Sequence, residues 1–201
     1  MIGLYYCRLP ENFSGITLPA LTAYRQQRLA TLQNERARRQ SLGAELMLYR
    51  ALQDWAPELP WPPELLVDSQ GKPRLKEGDL FFSLSHSGSW AACAVARQEL
   101  GLDIQEKRLG TEALMNRCFT AEEREFVRRS PDPAAAFTEL WCKKESRIKA
   151  VGGSIFDGLS SFSVLDSPWE YRCGSLEGLF YAVCIPGSSG EELEIHRIEL
   201  L

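Results

Sequence analysis

The chain has 201 residues, of which 44% are hydrophobic and 25% charged, and its formal net charge is −4 with a pI of about 5.4. This composition is typical of a globular protein and excludes a disordered or fibrous chain, while the acidic pI disfavours nucleic acid as a partner. No stretch approaches the roughly 20 consecutive apolar residues of a membrane helix, and the first residues lack the features of a secretory signal, so we expect a cytoplasmic protein with no membrane partner.

Cysteine and histidine usage bears on redox state and on metal chemistry. The six cysteines include no C-x-x-C pair, and several lie in apolar runs such as WAACAVA, so we expect reduced, buried thiols. Only two histidines are present, His86 and His196. A histidine-rich zinc or copper site is therefore disfavoured, and any bound metal should be a hard cation with oxygen ligands.

The predicted elements alternate between strand and helix along the chain. A strand fits residues 2–8, a helix fits 35–54, and the prolines between 57 and 63 then interrupt the chain. Further strands are predicted over 80–84, 90–96, 100–104, 160–165, 170–174, 178–185 and 193–199, with helices from near 120 and over 134–151.

This alternation through both halves of the chain predicts an α+β protein. GSWAACAV (88–95) and GLFYAVCI (178–185) each place a glycine before an aromatic residue and a short apolar strand. Chance similarity is the simpler explanation, but a repeated lobe is compatible with it. We place the boundary after residue 98, which gives an N-terminal lobe over 1–98 and a C-terminal lobe over 99–201.

A basic segment lies between Tyr24 and Arg50, where six arginines stand against two glutamates. It is either a solvated helix face or a surface for an anionic partner. The six are Arg25, Arg28, Arg36, Arg38, Arg39 and Arg50.

The strand LGLDIQ carries the first candidate site residues. Side chains alternate along a strand, so Asp103 and Gln105 project from the same face as Gly101. A glycine at that position leaves room for something close to the backbone. By itself this pattern is weak, since an aspartate at a strand end is often a turn or cap residue.

The helix FTELWCKKESRIKAVG carries a carboxylate on its apolar stripe. Glu145 lies four residues after Trp141, and a carboxylate turned toward a core needs a compensating cation or hydrogen-bond donors. Lys149, four residues further along, is one candidate partner and a metal ion is the other, and within this segment alone the intrahelical ion pair is favoured.

Two polar turns complete the set of candidates. In FFSLSHSGSW, Ser85 and His86 are predicted in a turn whose hydroxyl, imidazole and backbone N–H groups can surround an anion, although for this tetrapeptide alone a plain polar hairpin turn is favoured. Upstream, Gly71-Lys72-Pro73 forms a tight turn with one cation.

In chain order, GKP, FSLSHS, GLDIQ and W-x-x-K-E-x-x-x-K-x-x-G resemble the motifs of 4′-phosphopantetheinyl transferases of the surfactin-synthetase-activating type, over residues 71–152 and more loosely over 36–52. The resemblance implies a monomer with a pseudo-twofold fold, in which each lobe is a small, mainly antiparallel sheet packed with helices and the active site lies between the lobes. It also implies transfer of the 4′-phosphopantetheine arm of coenzyme A to a serine of an acyl or peptidyl carrier protein, with release of 3′,5′-ADP.

The same resemblance implies roles for individual residues. Magnesium, with manganese as a substitute, is expected on Asp103, Gln105 and Glu145. Coenzyme A is expected to contact Arg39, Lys72, Ser85, His86 and Lys149. The implied catalytic residues are Glu145, Lys149 and Glu123. Arg28 or Arg36 could meet the 3′-phosphate, and the carrier is expected to dock on the basic segment or on SIFDGLSSF (154–162).

Two features leave alternatives open. Glu123 matches a family position proposed to help deprotonate the serine, yet Thr120 to Glu123 also reads T-x-x-E, the sequence of a capping box. The base could instead be Glu145 or a metal-bound water. Gln105 replaces the usual glutamate, so we expect weaker metal binding, and a non-catalytic homologue that binds coenzyme A or a carrier is the alternative function.

Overall fold

The computed structural model describes residues 1–153, 158–187 and 190–200. The chain divides into two compact units, one formed by Met1–Glu99 with the segment from Glu191 onward, and the other by Leu100–Gly190. Residues after Gly190 thus lie with the first unit, whereas the sequence-based division grouped them with the second. Each unit has a small sheet packed with helices, which confirms the predicted α+β class. The first four residues of the predicted docking segment, 154–157, lie outside the described residues.

The first unit is built on a four-stranded sheet in the order β4-β5-β1-β9. These strands are β1 (Ile2–Arg8), β4 (Phe81–Ser87), β5 (Trp90–Ala96) and β9 (Leu193–Arg197), and a separate hairpin is formed by β2 (Leu65–Val67) and β3 (Pro73–Leu75). Strand β1 pairs antiparallel with β5 and parallel with β9. The helices are α1 (Ala23–Thr31) and α2 (Glu35–Trp55), and the buried side of α2 packs against β1, β4 and β5.

A buried ion pair attaches α1 to α2. The Arg25 Nε atom lies 3.0 Å from Glu45 Oε2, and the Glu45 Oε1 atom accepts the Thr22 backbone N–H at 2.7 Å. Both charged side chains are buried, so Arg25 is not part of the basic surface that the sequence predicted. Arg38 is also engaged locally, because its guanidinium donates to the Leu29 carbonyl near the end of α1 at 2.6 Å.

The second unit has an antiparallel sheet in the order β6-β8-β7. Its strands are β6 (Gly101–Glu106), β7 (Glu170–Leu176) and β8 (Leu179–Ile185), and its helices are α3 (Glu112–Cys118), α4 (Ala121–Arg129) and α5 (Pro133–Val151). The strand predicted over 160–165 was wrong. Leu159–Ser161 form a single 3₁₀ turn and the following residues are irregular, because their backbone groups bond to buried side chains of α4 and α5 rather than to a neighbouring strand.

Helix α5 has clear start and stop signals. The Asp132 side chain accepts the Ala135 backbone N–H at 3.0 Å and Pro133 occupies the first turn. At the other end Gly152 adopts the left-handed conformation with φ of 74°, which ends the helix. Between these ends α5 packs across β6 and β8.

The structure bears on two expectations from the composition, the state of the cysteines and the lack of a membrane helix. All six cysteines are free, and five are buried as predicted, whereas Cys173 is exposed. Within residues 1–153, 158–187 and 190–200 no helix is long and apolar enough to cross a membrane.

Helix α5 approaches β6 most closely at Gly101. A Cβ atom at that position would overlap the Ser146 carbonyl oxygen and the Ala150 backbone nitrogen of α5. The space that the sequence predicted beside the strand is therefore filled by the helix backbone, and this places the residues that share the face of Gly101 next to α5.

We expect Gly101→Ala to lower the free energy of unfolding by about 1–3 kcal/mol, because the added methyl group must push α5 away from β6. Gly153→Ala is the matched control, since a Cβ there would meet only ordinary contacts, the nearest being Ile148 Cγ2 at 3.6 Å. The control should change stability by less than about 0.5 kcal/mol. Chemical denaturation of both variants measures the difference, and equal stabilities would contradict the close approach.

Candidate functional site

Strand β6 and helix α5 bring together three of the predicted site residues. Asp103 lies on β6 and is only 6% exposed. The Lys149 Nζ atom of α5 is 2.8 Å from Asp103 Oδ1. The ion pair therefore joins the helix to the strand, because β6 lies close enough to α5 to offer its own carboxylate, whereas the sequence favoured Glu145 as the partner of Lys149.

Glu145 is a buried carboxylate with one oxygen that lacks a partner. The residue is 3% exposed, and its Oε1 atom has no hydrogen-bond partner among the described residues. Burial and, after it, the negative charge of Asp103 raise the pKa of Glu145 to about 7, against the opposing effect of Lys149 and Arg108. A desolvated carboxyl beside a second carboxylate is a site with a deficit of positive charge.

Gln105 is the third predicted metal ligand. It is half-buried and lies two residues beyond Asp103, so strand alternation places it on the face of Gly101 and Asp103. Glu106 is exposed and belongs to the opposite face. Among residues 1–153, 158–187 and 190–200 no group of three or more histidine, cysteine, aspartate or glutamate side chains could hold a metal ion. A metal at this place would have two carboxylates and one amide from the chain.

Two further residues, which were not predicted from the sequence, lie beside this site. Cys142 lies three residues before Glu145 on α5, and its buried thiol donates to the Phe180 carbonyl at 3.8 Å. Burial raises the pKa of this thiol well above its ordinary value, and the charge of Asp103 adds to the effect, so the sulfur stays protonated beside the carboxylate. The spacing of three residues from Glu145 was the signal that could have identified it.

Arg108 is the second missed residue, in the loop after β6. The buried Thr138 hydroxyl fixes its backbone by accepting the Arg108 N–H at 3.0 Å, and the single hydroxyl hydrogen is shared between the Arg108 carbonyl at 2.9 Å and the Ala134 carbonyl at 2.7 Å. The guanidinium lies over the Trp141 ring, 5.2 Å from its centroid. A cation–π contact of this kind holds a positive charge near Glu145, and no sequence pattern pointed to it.

Glu123 takes part in an interior network. Thr120 and Glu123 form the reciprocal capping box at the start of α4, which confirms that interpretation of the T-x-x-E sequence. The Glu123 Oε1 atom accepts the Val164 N–H at 2.9 Å, and Oε2 lies 2.8 Å from Lys144 Nζ. Both oxygens are thus engaged and the side chain is fully buried. The role of Glu123 as a base stays a prediction, and this geometry gives it no support.

The remaining predicted residues belong to the first unit. Lys72 Nζ is 3.0 Å from Glu99 Oε2, and burial lowers the pKa of Lys72. The Arg39 guanidinium donates to the Glu11 carbonyl at 3.1 Å, and its Nε atom is buried without a hydrogen-bond partner among the described residues.

The turn predicted at Ser85 and His86 was too early. Strand β4 continues through Ser87, pairing Ser85 with Ala92 and His86 with Ala91, and the chain reverses over residues 88–89. The hydrogen-bonded ladder to β5 extends the strand by three residues beyond the apolar run that predicted it. Alternation then buries Ser85 and exposes His86.

Parts of this chain are similar in sequence to known proteins. The sequence model of the 4′-phosphopantetheinyl transferase superfamily matches residues 99–190, which include β6 and α5. A 4′-phosphopantetheinyl transferase of Bacillus subtilis is 38% identical over 101 residues, which cover 49% of this chain and 45% of that protein. The enzyme AcpT of Salmonella typhi is 35% identical over 130 residues, covering 62% of this chain and 68% of that protein. The chain belongs to the 4′-phosphopantetheinyl transferase superfamily.

Two further points define the extent of the similarity. The chain matches less than half the length of the Bacillus subtilis relative, since the alignment covers 45% of it. The longest of these alignments is with the 4′-phosphopantetheinyl transferase gsp of Aneurinibacillus migulanus, which is 28% identical over 173 residues, 81% of this chain and 70% of that protein.

The raised pKa of Glu145 predicts a pH-dependent stability. The folded state keeps a proton that the unfolded state loses near pH 4.5, so the stability that this carboxyl contributes is complete below pH 4.5 and is lost as the pH rises to about 7. Between these limits, wild type in metal-free buffer should lose about 2–3 kcal/mol of unfolding free energy more than Glu145→Gln, which cannot ionise. Urea unfolding over a pH series tests this, and parallel pH profiles for the two proteins would contradict the pKa.

Proposed function

We propose that this chain transfers the 4′-phosphopantetheine arm of coenzyme A to a serine of an acyl or peptidyl carrier protein and releases 3′,5′-ADP. The observation that carries the proposal is the Glu145 carboxylate, which is buried beside Asp103 with an unpartnered oxygen, on elements within the region that matches the superfamily. The similarity to relatives that are named 4′-phosphopantetheinyl transferases supports the same reaction.

The proposal extends to the type of enzyme and its setting. The order of the motifs GKP, FSLSHS, GLDIQ and WCKKE supports the surfactin-synthetase-activating type, as does 34% identity over 97 residues to the 4′-phosphopantetheinyl transferase Sfp of Bacillus subtilis strain 168. We place the protein in the cytoplasm as a monomer. Arg39, Lys72, Ser85 and His86 remain proposed contacts of coenzyme A, and of these His86 is exposed.

The donor set of Asp103, Gln105 and Glu145 fits magnesium, with manganese as a substitute. All three residues offer oxygen atoms, which these hard cations prefer, and the buried orphan oxygen of Glu145 needs a positive partner. When bound, the cation would neutralise charge on the diphosphate of coenzyme A.

Three side chains of the site would have further roles in the reaction. Lys149 holds Asp103 in place through the 2.8 Å ion pair, and its side chain is 28% exposed, so its ammonium can also meet a phosphate oxygen. Glu145, whose carboxylate is ionised once a cation is bound, is the proposed acceptor of the proton of the attacking serine. Arg108 adds an exposed positive charge beside this carboxylate.

The test of this function is a transfer assay read by mass spectrometry. The chain is incubated with an apo-carrier, coenzyme A and magnesium, and the carrier should gain the mass of one phosphopantetheine arm on its serine. Asp103→Asn should slow transfer by about 100-fold or more, since it removes a charge from the site. Glu112→Gln, on the exposed side of α3, is the matched control and should retain full activity. A carrier with alanine in place of the serine should gain no mass.

The same assay separates the alternative function. Gln105 favours a homologue that binds coenzyme A or a carrier without transfer, because the amide brings no charge to the metal. Stabilisation of the chain by coenzyme A and magnesium without any mass gain on a panel of acyl and peptidyl carriers would support that function and contradict ours.

Gln105→Glu should lower the magnesium concentration needed for half-maximal rate by about three- to tenfold, because a third carboxylate strengthens the attraction for the cation. Glu106→Gln, which removes a charge from the opposite face of β6, is the control and should leave this concentration unchanged. Magnesium titrations of the transfer rate compare the two variants. An unchanged requirement in Gln105→Glu would argue against metal ligation at this position.

A further inference from the structure

Lys144 directly precedes Glu145 on α5 but lies on a different face of the helix. Its side chain is fully buried. The Nζ atom lies 2.8 Å from Glu123 Oε2 and donates to the carbonyl oxygens of Leu159 and Phe162 at 2.6 Å each. An ammonium group has three donors, so every donor of Lys144 has an acceptor.

Glu123 completes this network from the side of α4. Its Oε2 atom also accepts the Thr120 N–H at 2.8 Å, and its Oε1 atom accepts the Val164 N–H at 2.9 Å. We name the buried pair of Glu123 and Lys144 the interior clamp. The clamp connects the start of α4, the middle of α5 and the irregular segment Leu159–Val164.

The clamp and the candidate site act on different faces of one helix. Consecutive helical residues point about 100° apart, so Lys144 can reach the segment Leu159–Val164 while Glu145 meets β6. Arg147 strengthens the clamp side, because its guanidinium lies 4.2 Å from the Phe162 ring centroid, and Lys144 Nζ lies 4.5 Å from the same centroid. Contacts on two faces fix the rotation of α5 about its axis.

We propose that Glu123 and Lys144 are positioning residues, which hold α5 at the rotation that keeps Glu145 and Lys149 against Asp103. This inference rests on the proposed function. It differs from the use of Glu123 as a base, since both of its oxygens are engaged in a fully buried network. A positioning pair can be replaced by another pair that restores the contacts, whereas a base cannot.

A double-mutant cycle tests the clamp with Glu123→Gln, Lys144→Gln and the combination of both. Each single variant leaves one buried charge without its partner, which is strongly destabilising, while the double variant replaces the ion pair by two neutral amides. Each single variant should lower kcat about tenfold and raise the magnesium requirement about tenfold, and the double variant should return to within about threefold of wild type.

The controls separate positioning from loss of stability. Glu45→Gln breaks a different buried ion pair, that of Arg25 in the first unit, and should lower Tm by a similar amount without changing the magnesium requirement. Rates are compared well below the lowest Tm and over a range of pH. A double variant as inactive as Glu123→Gln would show that the carboxylate itself is needed, and single variants with wild-type kcat and magnesium requirement would show a merely structural role. Either result overturns the proposal.

Failure of the proposed function can be distinguished from failure of the clamp. If wild type transfers no arm to any carrier, the proposed function is wrong. The double-mutant cycle then uses Mn²⁺ affinity as its measured quantity, determined by electron paramagnetic resonance without coenzyme A or carrier. Weaker Mn²⁺ binding in the single variants with recovery in the double variant supports the clamp. Equal Mn²⁺ affinity in all four proteins overturns it.

Discussion

The contact of α5 with β6 at Gly101 is the constraint on which the second unit depends. The helix backbone occupies the space where any other residue would carry its Cβ atom. Because the backbones of α5 and β6 are so close at this point, side chains of the two elements can form direct contacts. Lys149 of α5 thus forms an ion pair with Asp103 of β6. The same closeness removes water from Glu145, which raises the pKa of this carboxyl and leaves one of its oxygens without a partner.

Charge in this unit is distributed in two different ways. Around Glu123 and Lys144, opposite charges and backbone dipoles satisfy each other completely, and the result is a closed interior network. Around Asp103 and Glu145, two carboxylates share the nearby charges of Lys149 and Arg108, and one oxygen stays unmatched. Complete satisfaction favours a structural role, while an unmatched buried charge is typical of a place where a ligand supplies the missing partner.

The sequence predicted those features that depend on local pattern. Period-two alternation placed Asp103 and Gln105 on one face, helical spacing placed Glu145 on the buried stripe of α5, and T-x-x-E gave the start of α4. Features that depend on contacts between distant segments could not be predicted. Arg25 looks like a surface charge until α2 supplies Glu45, and residues 160–165 look like a strand until Lys144 and Glu123 bind their backbone. The cation–π contact of Arg108 likewise needs the fold to bring Trp141 beneath it.

The topology of the first unit delays the completion of its sheet while the chain is being synthesised. Strand β1 is an inner strand of its sheet, with β5 on one side and β9 on the other, and β9 pairs with it in parallel from Ile2 with Leu193 to Tyr6 with Arg197. Strand β1 therefore cannot complete its hydrogen bonds until β9, which lies far along the chain, has been synthesised. Until then one edge of β1 is unpaired and other strands can join it, so the nascent protein needs protection from aggregation until β9 has been synthesised.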